Sequence, residues 1–162
     1  MLQTSSITFG VMMSFIKKIV FSFSVIFFSA ISWGNTPEQG YSLSVKVSHL
    51  RNSKGIVQFS LYNKDGTIPD ENYQKFYKQL QGKIKAGVSV VTFSHLPEGR
   101  YAVNILHDEN QNKKIDKGFL LPIEGVGFSN YKSIGLRNRP NFSKASFTLN
   151  ADITKQINII YF

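Results

Sequence analysis

The segment LPEGRYAVNILHDENQNKKID, residues 96–116, joins a turn, a strand and a polar loop in direct succession. Pro97 fixes its own φ and Gly99 permits a positive φ, so the first four residues predict a tight turn. From Tyr101 to Ile105, bulky side chains alternate with smaller or polar ones, which is the pattern of a strand with a buried face. We therefore expect this strand to lie inside the fold and to carry the polar loop to one rim.

Further strand patterns lie on both sides of this segment. They cover residues 43–47, 57–61, 88–93, 146–149 and 153–162. The first two are separated by Asn52-Ser53-Lys54-Gly55, which has the composition of a turn, so these two strands are expected to form a hairpin. About seven short strands with turn signals between them predict an all-β fold of the β-sandwich type.

One segment has helical rather than strand periodicity. Its large apolar side chains fall three and four residues apart, at Tyr73, Phe76, Tyr77 and Leu80. Asp70 follows Pro69 and suits the N-cap position, so the pattern predicts one short helix over residues 70–81. We interpret its aromatic stripe as a buried helix face rather than as a surface for stacking a ligand.

Residues 1–34 have the three parts of a secretory signal. They contain no acidic residue, and Lys17 and Lys18 precede a run of 13 apolar or small residues. Small residues follow, which predicts cleavage after Ser32 or Gly34. The alternative is a permanent membrane anchor, but the apolar run is shorter than the roughly 20 residues that a spanning helix needs.

The remaining residues, of which 41–162 are expected to form a single domain, are basic and contain no cysteine. The whole chain has 19 lysines and arginines against 10 aspartates and glutamates, a net charge of +9. Such a surface favours anionic partners, which for an exported protein means acidic polysaccharide or lipid headgroups rather than nucleic acid. The basic residues are scattered, so solubility alone is the other explanation of the charge.

The polar loop has the ligand spacing of a calcium site. Positions 1, 3, 5 and 9 of such a loop are occupied by Asp108, Asn110, Asn112 and Asp116, and the backbone carbonyl of Lys114 falls at position 7. Calcium binds six to eight oxygen atoms at about 2.3–2.6 Å, and alternate residues of a tight loop turn their oxygens inward. The loop therefore predicts a calcium site.

Two positions depart from the usual calcium loop. Lys113 stands at position 6, where the sharp turn favours glycine, and Phe119 stands at position 12, where a bidentate glutamate is usual. Glu124 is the nearest later carboxylate that could fold back. The other interpretation is an Asx-rich turn whose side chains bond only their own backbone. We also expect Phe128 to pack beneath this loop.

The sequence contains no pattern that identifies an enzyme. His49, His95 and His107 are scattered, and no Ser-His-Asp order, HExxH or glycine-rich phosphate loop is present. Glu109 and Glu124 are the one carboxylate pair that could serve a small hydrolase. We expect instead a binding or structural module without catalytic residues, located in the periplasm or secreted.

Several motifs occur in an order that resembles a known family. They are LPEGRYAV at 96–103, HDENQNKKID at 107–116, PIEGVGFSN at 122–130 and RPNF at 139–142. In this order they resemble the bacterial exported proteins called domain-of-unknown-function family 2141, over residues 41–162. The resemblance implies an immunoglobulin-like or transthyretin-like sandwich of the bacterial envelope with an unknown partner, and it implies no known activity. The family usually has glycine where this chain has Lys113.

Protein recovered from the envelope fraction is expected to begin at Trp33 or Asn35, because the signal pattern places the cut after Ser32 or Gly34. Intact-mass measurement of that protein tests the cleavage site. A chain that still carries Met13 would contradict removal of the signal.

Overall fold

The structure, a computed structural model, describes residues 40–119, 121–135 and 137–162, so the expected signal at 1–34 lies outside the described residues. Within the described part, eight strands and one four-residue helix occur. They are β1 (Tyr41–Ser48), β2 (Ile56–Tyr62), β3 (Lys78–Gly82), β4 (Ser89–Leu96), β5 (Gly99–Asp108), β6 (Gly125–Phe128), α1 (Phe142–Ala145), β7 (Phe147–Leu149) and β8 (Ile153–Asn158).

The strands form two sheets, which confirms the predicted all-β sandwich with eight strands rather than seven. The smaller sheet has the order β4-β1-β8, with β1 and β8 parallel. The larger sheet has the order β3-β2-β5-β6, and β7 pairs with the first residues of β5. Between the sheets, β6 and the chain end exchange two backbone hydrogen bonds, from Val126 N to Ile160 O (2.9 Å) and from Ile160 N to Val126 O (2.8 Å).

The main core lies between the two sheets. Strand β1 buries alternate residues, as predicted, and so do the facing sides of β2 and β5. The buried side chains of these three strands are Leu43, Val45, Val47, Val57, Phe59, Leu61, Tyr101, Val103 and Ile105. Their burial against one another is the main source of stability in such a domain.

Strands β2 and β5 are buried on both faces. The side of the larger sheet that faces away from the main core is covered by two smaller apolar clusters from the connecting segments. One cluster joins Tyr62 and Ala102 to Phe128, and the other joins Leu106 to Tyr73 and Val126. The same face of the sheet carries the polar side chains Gln58, Ser60 and Asn104, and all three are buried.

The expectation that β1 and β2 form a hairpin is wrong. Strand β1 pairs with β4 and β8 in one sheet, and β2 pairs with β3 and β5 in the other. The intervening residues cross between the sheets, with positive φ at His49 and Gly55. Both strands still bury alternate residues toward the same core, so their pattern is equally compatible with two facing sheets.

The expectation of a helix over 70–81 is also wrong. The carboxylate of Asp70 accepts hydrogen bonds from the backbone N–H of Gln74 (3.1 Å) and Lys75 (2.8 Å), and Tyr73 has φ +50°. These features form a polar turn that a left-handed residue interrupts. From Tyr77 onward the chain bonds to the backbone of β2, which a helix could not do.

Smaller differences concern strand ends. The left-handed residue near the 96–99 turn is His95, with φ +54°, rather than Gly99, and it marks the irregularity between β4 and β1. Strand β8 ends at Asn158 instead of reaching Phe162. Phe128 packs with Tyr62, not beneath the polar loop.

Replacing Gly55 with alanine is expected to destabilise the domain by about 2–5 kcal/mol, the combined cost of a left-handed alanine and of overpacking. The added Cβ would collide with the backbone of Asp108 and Glu109. Gly66→Ala is the matched control, because Gly66 also has positive φ but a Cβ there meets no atom within 4 Å. Urea denaturation of both variants compares them, and equal losses of unfolding free energy would contradict the packing argument.

Candidate metal loop and the cavity beside it

The polar loop begins where β5 ends. Asp108, the last residue of that strand, is buried, and its two carboxylate oxygens accept hydrogen bonds from the backbone N–H of Asn112 (3.1 Å) and Lys113 (2.8 Å). A carboxylate that accepts two backbone N–H groups makes stronger bonds than a neutral acceptor does. Asp108 therefore closes the loop into a tight turn immediately after the strand.

The structure brings the predicted ligand side chains together. Asp116 accepts hydrogen bonds from the side-chain amides of Asn110 (2.5 Å) and Asn112 (2.9 Å). The oxygen of the Asn112 side chain in turn accepts the backbone N–H of Lys114 (2.8 Å). Among the described residues, the Lys114 carbonyl receives no hydrogen bond.

Lys113 adopts the left-handed conformation that its position in the loop predicts. Its φ is +62°, and Gln111 has the same value. A left-handed conformation costs a residue with a Cβ about 1–2 kcal/mol. The loop accepts this strain because the bond from Lys113 N to Asp108 holds the backbone in place.

Glu124 folds back onto the loop, as the sequence allowed. Its carboxylate is buried and accepts the backbone N–H of Glu109 (2.9 Å) and of Asp116 (3.3 Å). Burial raises the pKa of Glu124, and the charges of Asp116 and Asp108 raise it further, whereas the two N–H bonds oppose the rise. The carboxylate of Glu124 therefore lies close enough to the loop carboxylates of Asp108 and Asp116 for their charges to act on it.

A second polar cluster fastens the base of the loop, and the sequence patterns did not identify it. Arg51 donates to Glu109 (2.6 Å), and Asn52 donates to the other oxygen of the same carboxylate (3.0 Å). The buried ring of His107 bonds to the Tyr161 hydroxyl (2.7 Å) and to a backbone carbonyl of the β1–β2 segment. The members come from three distant parts of the chain, so sequence spacing contains no signal for them.

Glu109 and Glu124, the pair considered for hydrolysis, both lie at the base of the loop. Burial raises the pKa of Glu109, but hydrogen bonds from Asn52 and Arg51 and the Arg51 charge more than offset it, so its pKa lies below the ordinary value. Each carboxylate thus bonds to groups that hold the loop.

The loop offers a cation two carboxylates and two amide oxygens from its own side chains. Within the described residues, no group of three aspartate, glutamate or histidine side chains is arranged around a common point for a metal ion. A hard cation in the loop would take the Asp116 oxygens from the amide groups of Asn110 and Asn112, which would turn their oxygens inward. The donor set is oxygen only, which suits calcium or magnesium.

A cavity of about 340 Å³ lies beside the loop, over the outer face of the larger sheet. Its lining is mostly apolar and includes Ile115, Leu121, Val126 and Phe128. Asn104 of β5 also lines it, and the buried Asn104 Oδ1 has no hydrogen-bond partner among the described residues. A cavity of this size is at the small end of ligand sites.

Fold and site together define a small β-sandwich with an Asx-rich loop at one rim. A family model described as "Uncharacterized protein conserved in bacteria (DUF2141)" matches residues 45–158, so the chain belongs to this bacterial family. The resemblance noted from the motifs is thereby confirmed. Searches of curated proteins and of solved structures found no match.

Asp108→Ala is expected to destabilise the domain by about 1–3 kcal/mol in chelator, because the loop loses two charge-assisted hydrogen bonds. The amide protons of Asn112 and Lys113 should lose protection against hydrogen exchange. Asp65→Ala, in an exposed turn, is the control and should leave both amides unchanged. Unaltered exchange in the Asp108 variant would show that the carboxylate does not hold the loop.

Proposed function

We propose that this protein is an exported binding or structural module of the bacterial envelope whose loop 108–116 binds calcium. The observation that carries the proposal is the convergence of Asp108, Asn110, Asn112 and Asp116 around one small region at the rim of the sandwich. No catalytic role is assigned. In this proposal the ion stiffens the rim that a partner contacts.

The charge around the loop supports a cation rather than an anion. Asp108 and Asp116 lie in the loop itself, and the buried Glu124 bonds to its backbone. Carboxylates held this close repel one another, and a divalent cation removes that repulsion. The number of oxygen donors favours calcium over magnesium, because magnesium demands a near-ideal octahedron and usually keeps several waters.

The site is expected to be weak. Lys113 contributes backbone strain at the position where glycine is usual, and two amides replace carboxylates among the ligands. Extracellular calcium modules typically have dissociation constants of about 10⁻⁴–10⁻³ M, and this site belongs in that range.

Calcium at about 5 mM, roughly five times the weak limit of that range, is expected to stabilise the fold by about 1–2 kcal/mol relative to chelator. For a domain of this size the melting midpoint should rise by roughly 3–12 °C. Asp108→Asn and Asp116→Asn should abolish the rise, and Lys113→Gly should enlarge it. Thermal melts followed by circular dichroism make the measurement.

Asp152→Asn is the matched control, because Asp152 is an exposed aspartate outside the loop and should respond to calcium like the wild type. Magnesium at the same concentration tests the preference for calcium. Identical wild-type melting in calcium and in chelator would leave the loop as a polar turn and end the metal assignment.

A further inference from the structure

A short hairpin, formed by residues 116–119 and 121–123, follows the loop, and Phe119, Leu121 and Ile123 are exposed on it. The backbone N–H of Ile123 donates to Asp116 O (2.8 Å), and that of Gly118 donates to Leu121 O (2.9 Å). Lys117 and Pro122 form an antiparallel bridge between these two bonds. The described residues 116–119 and 121–123 therefore run antiparallel to each other, with Phe119 at the end of the first segment.

None of the hairpin side chains that the structure describes belongs to the three buried clusters. Phe119 is 98% exposed, Ile123 55% and Leu121 50%. Hairpin turns normally contain Gly, Asn, Asp or Ser, because these residues suit the backbone and remain in water. Phe119, which buries almost none of its side chain, gains no folding stability from it, so folding does not explain an aromatic residue at this position.

Basic residues precede the hairpin in the sequence and line the cavity that it borders. Lys113 and Lys114 precede the hairpin and form no ion pair among the described residues. Arg139 lines the same cavity as Leu121 and likewise has no acidic partner within the described part. Lys117 Nζ forms an ion pair with Glu71 Oε2 (2.5 Å), so less of its positive charge is available to an anionic partner.

We infer that this hairpin docks the protein on an anionic phospholipid surface, with Phe119 and Leu121 entering the boundary of the acyl chains. Side chains of this kind partition into the interface, and nearby lysine and arginine are attracted to anionic headgroups. Polysaccharide, the other anionic partner, offers no apolar phase that would receive Phe119. The loop's base is fastened by Arg51, which also donates to the Ile123 carbonyl (3.1 Å), so the hairpin is held in position for insertion.

The docking does not require the calcium proposal to hold. Bound calcium would add positive charge next to the hairpin and would strengthen attraction to anionic lipid. Without calcium, Lys113, Lys114 and Arg139 supply the attraction, and the carboxylates of Asp108 and Asp116 oppose it, so binding to anionic vesicles should be weaker in chelator. The two proposals are therefore separable by comparing vesicle binding in calcium and in chelator with the melting response of the same protein.

The test uses the exported protein and vesicles of phosphatidylcholine, with or without about one-third phosphatidylglycerol to supply the negative surface potential. Sedimentation with vesicles gives the partition coefficient. Phe119→Ser should weaken binding by about tenfold or more, since a phenyl ring leaves the apolar phase. Arg139→Gln should weaken binding by about fivefold on the anionic vesicles and not on phosphatidylcholine alone.

Val90→Ser is the matched control, because Val90 is 52% exposed on strand β4 of the smaller sheet. Its partition coefficient should stay within about twofold of wild type, because it enters no apolar phase. Wild-type binding equal to that of Phe119→Ser would overturn the proposal. So would binding to an acidic polysaccharide such as alginate in place of vesicles.

Fluorescence gives a direct reading of insertion. The emission of a Phe119→Trp variant should shift to shorter wavelength on anionic vesicles and should be quenched by brominated acyl chains. The exported wild-type protein gives the background signal, which comes from Trp33 if cleavage follows Ser32 and is absent if cleavage follows Gly34. Emission that neither shifts nor is quenched would place the tip in water and would overturn insertion.

Discussion

Strand β5 is the element on which the rest of the domain depends. It pairs with β2 along most of its length, with β7 at its beginning and with β6 at its end. Because both of its faces are buried, none of its backbone groups can turn to water, and each must be paired within the protein. The larger sheet, the main core and the outer apolar clusters are therefore all arranged around this one strand.

The carboxyl end of β5 also positions the polar residues from which the candidate site is built. His107 and Asp108 are buried polar residues at the last two positions of the strand, and each needs partners. His107 finds them in Tyr161 and the Lys54 carbonyl, and Asp108 finds them in the backbone of the loop. The chain end, the segment between the sheets and the candidate metal loop are thus held at a single place.

The rim built in this way combines three features that folding alone does not require. Its loop concentrates carboxylates, its hairpin exposes Phe119, and Asn104 Oδ1, in the lining of the adjoining cavity, has no hydrogen-bond partner among the residues that the structure describes. Each has a cost in stability, through charge repulsion, exposed apolar surface or an unmade hydrogen bond. Their concentration at one rim is the reason that we propose a binding function there. In the part of the chain that the structure describes, no helix is long and apolar enough to cross a bilayer.

The sequence by itself determined the all-β class, the strand that carries the loop and the group of residues in the loop. Alternating apolar and polar residues indicate a strand with one buried face, and the spacing of Asp and Asn within nine residues indicates a tight polar loop. Both patterns involve only residues close in sequence, so both can be recognised before the fold is known. The left-handed Lys113 and the return of Glu124 follow from the same local constraints. Only the tertiary structure decided which strands pair, since Leu43 aligns with Ile153 across nearly the whole domain. The tertiary structure also decided the conformation of residues 70–81, because pairing with β2 outweighed the helical periodicity of their sequence. It likewise brought Arg51, Glu109 and Tyr161 together at the base of the loop. These contacts join residues far apart in sequence, and their free energy depends on packing that no local pattern contains.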